Sequence, residues 1–185
     1  VAMTEVAGGS HPGHSVLVVP VPALEPLVRA RHEHYDADYV SADPTFAHAH
    51  VTVLGPWIDR AHLSATDLQG VERIARATSS FEVRFTRVET FPNGIIHLVP
   101  EPAEPFSALT AALWGAFPSC PPYAGAFGHV APHVTLDALG PGVTAAVVRS
   151  WLEGQLPLRT VADRIQLSWY EAGGCRTLAA WPLTG

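Results

Sequence analysis

The chain has 185 residues, 48% hydrophobic and 15% charged, enough apolar material for one sizeable core, in one lobe or two. Its net charge is -6 and all 11 of its basic residues are arginine, which argues against a broad surface for long nucleic acid while leaving room for a small anionic ligand. No apolar run approaches the ~20 residues of a membrane span, and Cys120 and Cys175 fit neither a close metal-binding pair nor a disulfide framework, so no membrane association and a reducing, cytoplasmic setting are expected.

Residues 1–14, with AGGSHPGHS, read as a flexible tail without the basic-then-apolar pattern of a signal peptide, which sets His11 and His14 aside. The run Val16-Leu17-Val18-Val19 then predicts a buried strand over Ser15 to Val21. Leu24, Leu27, Val28 and Tyr35 recur at helical spacing, with Pro26 tolerable in a first turn. A polar segment from Asp36 to Phe46 leads into AHAHVTVLGP, read as a strand. A helix begins at Ser64, with Asp67 at its third position and Leu63 stapled to Leu68. Phe81, Val83 and Phe85 alternate with polar residues as a half-buried strand, and Pro92-Asn93-Gly94 turns into another, Ile95 to Val99. Pro105 opens a helix with Phe106, Leu109, Leu113 and Phe117 on one face. A Pro/Gly-rich loop, Pro118 to Gly128, precedes APHVTLDAL. A helix near Val143 to Leu152 is expected to bury Val143, Val147, Val148 and Trp151, followed by strands at Val161 to Tyr170 and Arg176 to Pro182 with Gly173-Gly174 at the turn.

One triplet occurs twice, as His50-Val51-Thr52 and His133-Val134-Thr135. On a strand, residues two apart share a face, so each His stands beside its Thr while Val51 and Val134 point into a core. The interval from Leu24 to Phe106 nearly equals that from His50 to His133, so the surrounding elements repeat with the motif. This predicts a duplicated domain with pseudo-repeats of about 15–100 and 101–185, placing two His-Thr pairs across a pseudo-twofold cleft. Such a pair suits the hydrolysis of a cyclic phosphodiester. One histidine deprotonates water, the other protonates the departing alkoxide, and the Thr52 and Thr135 hydroxyls stabilise the charge on the non-bridging oxygens. No metal or cofactor is needed. Either triplet alone would read as an ordinary strand histidine beside a β-branched filler; the repetition in context carries the catalytic reading.

With HVTVLGPW at 50–57 and PPYAGAF followed by APHVTL at 121–136, the chain resembles the 2H phosphoesterase superfamily, in its 2'-5' RNA ligase-like and cyclic phosphodiesterase branch. The resemblance implies an α+β, bilobal fold with two antiparallel sheets lining a central cleft and helices outside. It also implies metal-independent phosphodiesterase or ligase chemistry on a small cyclic phosphodiester, such as a nucleotide or RNA-end 2',3'-cyclic phosphate. By this resemblance His50 is the proton donor and His133 the acceptor, with Thr52 and Thr135 on the phosphate. The chain departs from bacterial RNA-processing members at Asp137, which the strand alternation puts on the Thr135 face, there to repel phosphate or orient a neighbour.

His48 and His129 are further candidates for lining the cleft, as are Tyr123 and Phe127, which could stack on a base, and Trp57 and Trp169 among the five tryptophans. His32, His34 and His97 receive no role. Two alternatives stay open: a non-catalytic module capturing nucleotides or RNA ends in the same cleft, and a metal-dependent hydrolase using His48, His50, His129, His133 and Asp137, which the accompanying threonines fit poorly.

Overall fold

In a computed structural model, which describes residues 13–126 and 130–185, the chain forms eight strands in one antiparallel sheet and four α-helices. The strands are β1 (His14–Pro20), β2 (His50–Leu54), β3 (Phe81–Thr90), β4 (Ile95–Glu101), β5 (Val134–Ala138), β6 (Leu158–Ala162), β7 (Arg164–Tyr170) and β8 (Arg176–Pro182). The helices are α1 (Glu25–Tyr35), α2 (Ala65–Ala77), α3 (Glu104–Ala116) and α4 (Ala145–Trp151). Residues 1–12 of the expected tail, with His11, lie outside the described residues, and β1 already includes His14, whose ring stacks on Tyr170.

The sheet order β6-β3-β4-β5-β2-β1-β7-β8 has the two HVT strands at its centre. The two expected sheets are therefore the two halves of one, joined where Val51 pairs with Val134. The helices cover its apolar face: Val51, Val134, Leu17, Leu98 and Leu167 share one core with Leu24 just ahead of α1, Val28 of α1, Val71 of α2, Phe106 and Leu113 of α3 and Val148 of α4. α1 crosses onto β5 and α3 onto β2, so the helix of each half supports the other half's HVT strand.

The spatial halves do not follow the sequence halves. One takes β1, β2, β7 and β8, the other β3 to β6. The single strand expected at Val161 to Tyr170 is broken at Asp163, so that β6 pairs with β3 and β7 with β1. One corner residue thus connects opposite sides of the sheet, and the Leu183 N–H donates to the Asp163 carbonyl to hold it there.

Local signals behave as their chemistry requires. Ser64 caps α2 reciprocally with Asp67, satisfying N–H groups that a helix start leaves unpaired. Gly94 adopts φ +90° in the turn between β3 and β4, which favours glycine. α4 starts later than expected, capped by Thr144, and it is Val148 together with the following Leu152 that is fully buried; Val143, Val147 and Trp151 are only half-buried. Among the described residues, no helix is long and apolar enough to cross a membrane.

Candidate active site

Because Val51 opposes Val134 on antiparallel strands, His50 lies across from Thr135 and Thr52 across from His133. All four project from the face opposite the helices and are half-buried, whereas the two valines are fully buried. The histidines are diagonal neighbours across the two strands, on the order of 7–8 Å apart in backbone position, with their Cβ atoms somewhat closer.

Each ring is anchored in the same sense. His50 Nδ1–H donates to the Ala47 carbonyl at 2.9 Å, and His133 Nδ1–H to the Ala131 carbonyl at 2.8 Å. That fixes the tautomer and leaves Nε2 of each as the nitrogen without the proton in the neutral ring. Tyr170 Oη lies 3.5 Å from His50 Nε2. Burial pulls the pKa of both histidines down to about 4, against the opposing effect of the backbone acceptors; the neighbouring His97 adds to the depression at His133.

An aromatic wall stands beside each imidazole. Phe91 meets His133 edge-on at 4.9 Å and stacks on His97 at 3.7 Å, with the His97 ring 5.4 Å from His133. On the other side, Tyr170 meets His50 at 6.3 Å and stacks on His14 at 5.5 Å. His97 is 3% exposed and pairs across the sheet with Thr135. Sequence reasoning gives no role to His97 and misses Tyr170 and Phe91. For Tyr170 a signal is present: Gln166, Ser168 and Tyr170 alternate with Ile165, Leu167 and Trp169, which marks two different faces.

Tyr123 does approach the site: its N–H donates to the Gly55 carbonyl at 2.6 Å, just beyond the end of β2, and its phenol feels the Thr52 side chain. Phe127 and His129 lie outside the described residues. The remaining candidates need correction. His48 is 3% exposed and lines no cleft, because the chain ahead of β2 turns and the strand alternation does not extend back to it. Its Nδ1–H donates to Glu25 at 2.5 Å and its Nε2 accepts the Ser41 N–H at 3.1 Å, so both ring nitrogens are committed and His48 cannot join His50 as a metal pair. Glu25 also accepts the Ala49 N–H, which pins the segment that carries the Ala47 carbonyl. Trp57 packs in the core, edge-on against Phe117 at 5.1 Å. Trp169 is on the face of β7 opposite Tyr170, and its indole N–H donates to Glu171.

Asp137 likewise leaves the Thr135 face. A bulge in the β4–β5 pairing sets Thr135 opposite His97 but Asp137 opposite Ile96, and so turns Asp137 towards α1. There it is 5% exposed and accepts from Arg31 Nε at 2.6 Å, while the Arg31 guanidinium lies 4.4 Å over the Trp151 ring. It presents no charge to a phosphate at the threonines.

The family model for the 2'-5' RNA ligase superfamily matches residues 19–174, and the chain belongs to that family. Its fold is similar to that of TT0787 of Thermus thermophilus, with a TM-score of 0.60, 20% identity, and coverage of 93% of this chain and 98% of that one. It is similar also to E. coli LigT complexed with 3'-AMP, with a TM-score of 0.53, 18% identity, and coverage of 95% and 100%. LigT complexed with NADP+ gives a TM-score of 0.51 at 19% identity, with the same coverage of 95% and 100%. No curated protein matches the chain.

Proposed function

We propose that the protein is a metal-independent phosphoesterase that opens a small cyclic phosphodiester, a nucleotide or RNA-end 2',3'-cyclic phosphate, with His50 and His133 as acid and base. The observation that carries this reading is the pairing of Val51 with Val134, since it sets each imidazole diagonal to the other and opposite a threonine. In the reaction His133 Nε2 takes a proton from water as the water oxygen bonds to phosphorus. The bond from phosphorus to one ribose oxygen breaks, and His50 Nε2–H gives its proton to that oxygen. Thr52 and Thr135 donate to the non-bridging oxygens, where charge accumulates. The products are a phosphomonoester and a free hydroxyl; attack by an RNA hydroxyl in place of water would run the same chemistry as ligation.

Both histidines are neutral at pH 7 in the free protein, given their depressed pKa values. A phosphodiester anion seated between them raises both, and the acid acquires its proton with the substrate. LigT has been crystallised with 3'-AMP and with NADP+, which supports a nucleotide here. The test is incubation of the purified protein with 2',3'-cyclic nucleotides and short RNAs carrying a 2',3'-cyclic end, in the presence of chelator, with identification of the product. A phosphomonoester is expected. Binding without product would make the protein a capture module, and activity restored to a chelated sample by added metal would make it a metallohydrolase.

A further inference from the structure

The two histidines are anchored alike, but different groups meet their outer nitrogens. Each donates Nδ1–H to a backbone carbonyl just upstream, so each neutral ring keeps its lone pair on Nε2. At His50 a hydroxyl reaches that nitrogen, with Tyr170 Oη at 3.5 Å. His133 has Phe91 and His97 beside its ring instead, and among the described residues no hydroxyl is bonded to its Nε2. Tyr170 closes β7 and is held from two sides: His14 stacks on its ring at 5.5 Å, and Phe46, 4% exposed, meets it edge-on at 5.2 Å. Phe46 also packs edge-on against His48 at 5.0 Å, which Glu25 and Ser41 immobilise. The phenol is therefore held by the same segment, ahead of β2, that carries the Ala47 acceptor of His50.

We propose that Tyr170 is a positioning residue for His50: its phenol donates to Nε2 of the neutral ring, closes that lone pair to water, and so leaves proton abstraction to His133. The inference rests on the reading of the two histidines as acid and base. Because Nδ1 already carries the one proton of the neutral ring, Nε2 of His50 can only accept, and the phenol is the donor. A contact of 3.5 Å is long for a hydrogen bond, as contacts at a site awaiting its substrate commonly are. A base must offer its lone pair to water; at His50 that pair is engaged by the phenol, and at His133 no hydroxyl of the described residues competes for it. Donation to the neutral ring also opposes protonation of His50 until an anion arrives, so the acid becomes charged together with its substrate. Once Nε2 carries a proton it no longer accepts, the phenol releases it, and the proton is available to the leaving oxygen. One residue on β7 thus breaks the pseudo-symmetry of the two triplets.

The test is Tyr170→Phe, which keeps the stacked ring and removes the hydroxyl. In the free protein the titrations of His50 and His133 are followed separately by NMR of their imidazole C–H protons. The His50 pKa is expected to rise by about 0.5–1 unit, the effect of losing one modest hydrogen bond to the neutral form, and the His133 pKa to stay in place. Glu25 and His32 of α1, His48 ahead of β2, His14 of β1 and His133 of β5 are the other titratable groups around His50, and the variant keeps all of them. The descending limb of kcat/KM for a 2',3'-cyclic nucleotide, which follows protonated His50, should move up in pH by the same amount while the ascending limb stays. A fluorinated tyrosine placed at position 170 alone, a stronger donor on the same ring, should move His50 the opposite way, which keeps the test open even if Tyr170→Phe is unstable. An unshifted His50 in either variant, or an equal shift at both histidines, would overturn the proposal. If no cyclic nucleotide is turned over, the proposed reaction falls, and the titration of the free protein still decides whether Tyr170 holds His50 Nε2.

Discussion

Val51 and Val134 face each other across the centre of the sheet, and this one pairing is what brings the two HVT triplets into a common site. Their side chains are sealed under α1 and α3, so the histidines and threonines beside them are forced to the opposite face. Replacing His50 or His133 by alanine should therefore lower kcat/KM on the order of 10²–10⁴-fold, the cost of losing a general acid or base. Thr52→Val or Thr135→Val should cost less, roughly 10- to 100-fold, because each removes one hydrogen bond to a charged oxygen. Steady-state kinetics on the four variants checks the order.

The depressed histidines make a distinctive pH dependence. In the free protein both sit at about 4, and raising the pH above that value depletes the protonated acid. The profile of kcat/KM, which reports the free protein, should accordingly have its maximum well on the acid side of the profile of kcat, which reports the complex in which the anion has raised both pKa values. Coincident maxima would contradict this.

The same shifts link stability to pH. In the unfolded chain these histidines titrate near ~6.5, so between that pH and about 4 the unfolded state binds more protons than the folded one. Their contribution is fully present above the unfolded value and is lost as pH falls towards the folded one. His32 and His97, also depressed by burial, act in the same direction. Chemical denaturation at pH 7 and pH 5 should show a fall in stability that is smaller in a His50→Ala, His133→Ala double variant.

Asp137 should matter for stability and not for turnover. Its partner Arg31 is largely buried between Asp137 and Trp151, so Asp137→Ala strands a cation and should destabilise the fold by about 3 kcal/mol. The midpoint of denaturation should move while kcat/KM of the remaining folded protein stays near wild type. A large kinetic effect would return Asp137 to the phosphate-facing side.

Much of this is legible in the residues because the signals are local. Ser64 with Asp67, the alternation in β3, the turn at Gly94 and the span of β8 are all written in a few adjacent positions. So is the face shared by His50 and Thr52, which depends only on the pleat. What fails depends on register or on distant partners. The bulge that turns Asp137 away from Thr135 is a mismatch with β4, and nothing in LDAL announces it. The break at Asp163 follows from pairing with β3 on one side and β1 on the other. Placing His48 in the cleft extends the strand alternation two residues too far, past the turn that hands it to Glu25. His97 can be placed beside His133 only with the β4–β5 register in hand.

The division of labour between the histidines is best measured with two substrates that differ only in their leaving group, one an ordinary ribose alkoxide and one an activated aryl oxide. An activated leaving group departs without protonation and so has little need of the acid. With it, His50→Ala should recover most of the wild-type rate while His133→Ala remains impaired by about the same factor as on the ordinary substrate. Full activity of both variants on both substrates, or equal impairment of both whatever the leaving group, would contradict a paired acid and base at the junction of β2 and β5.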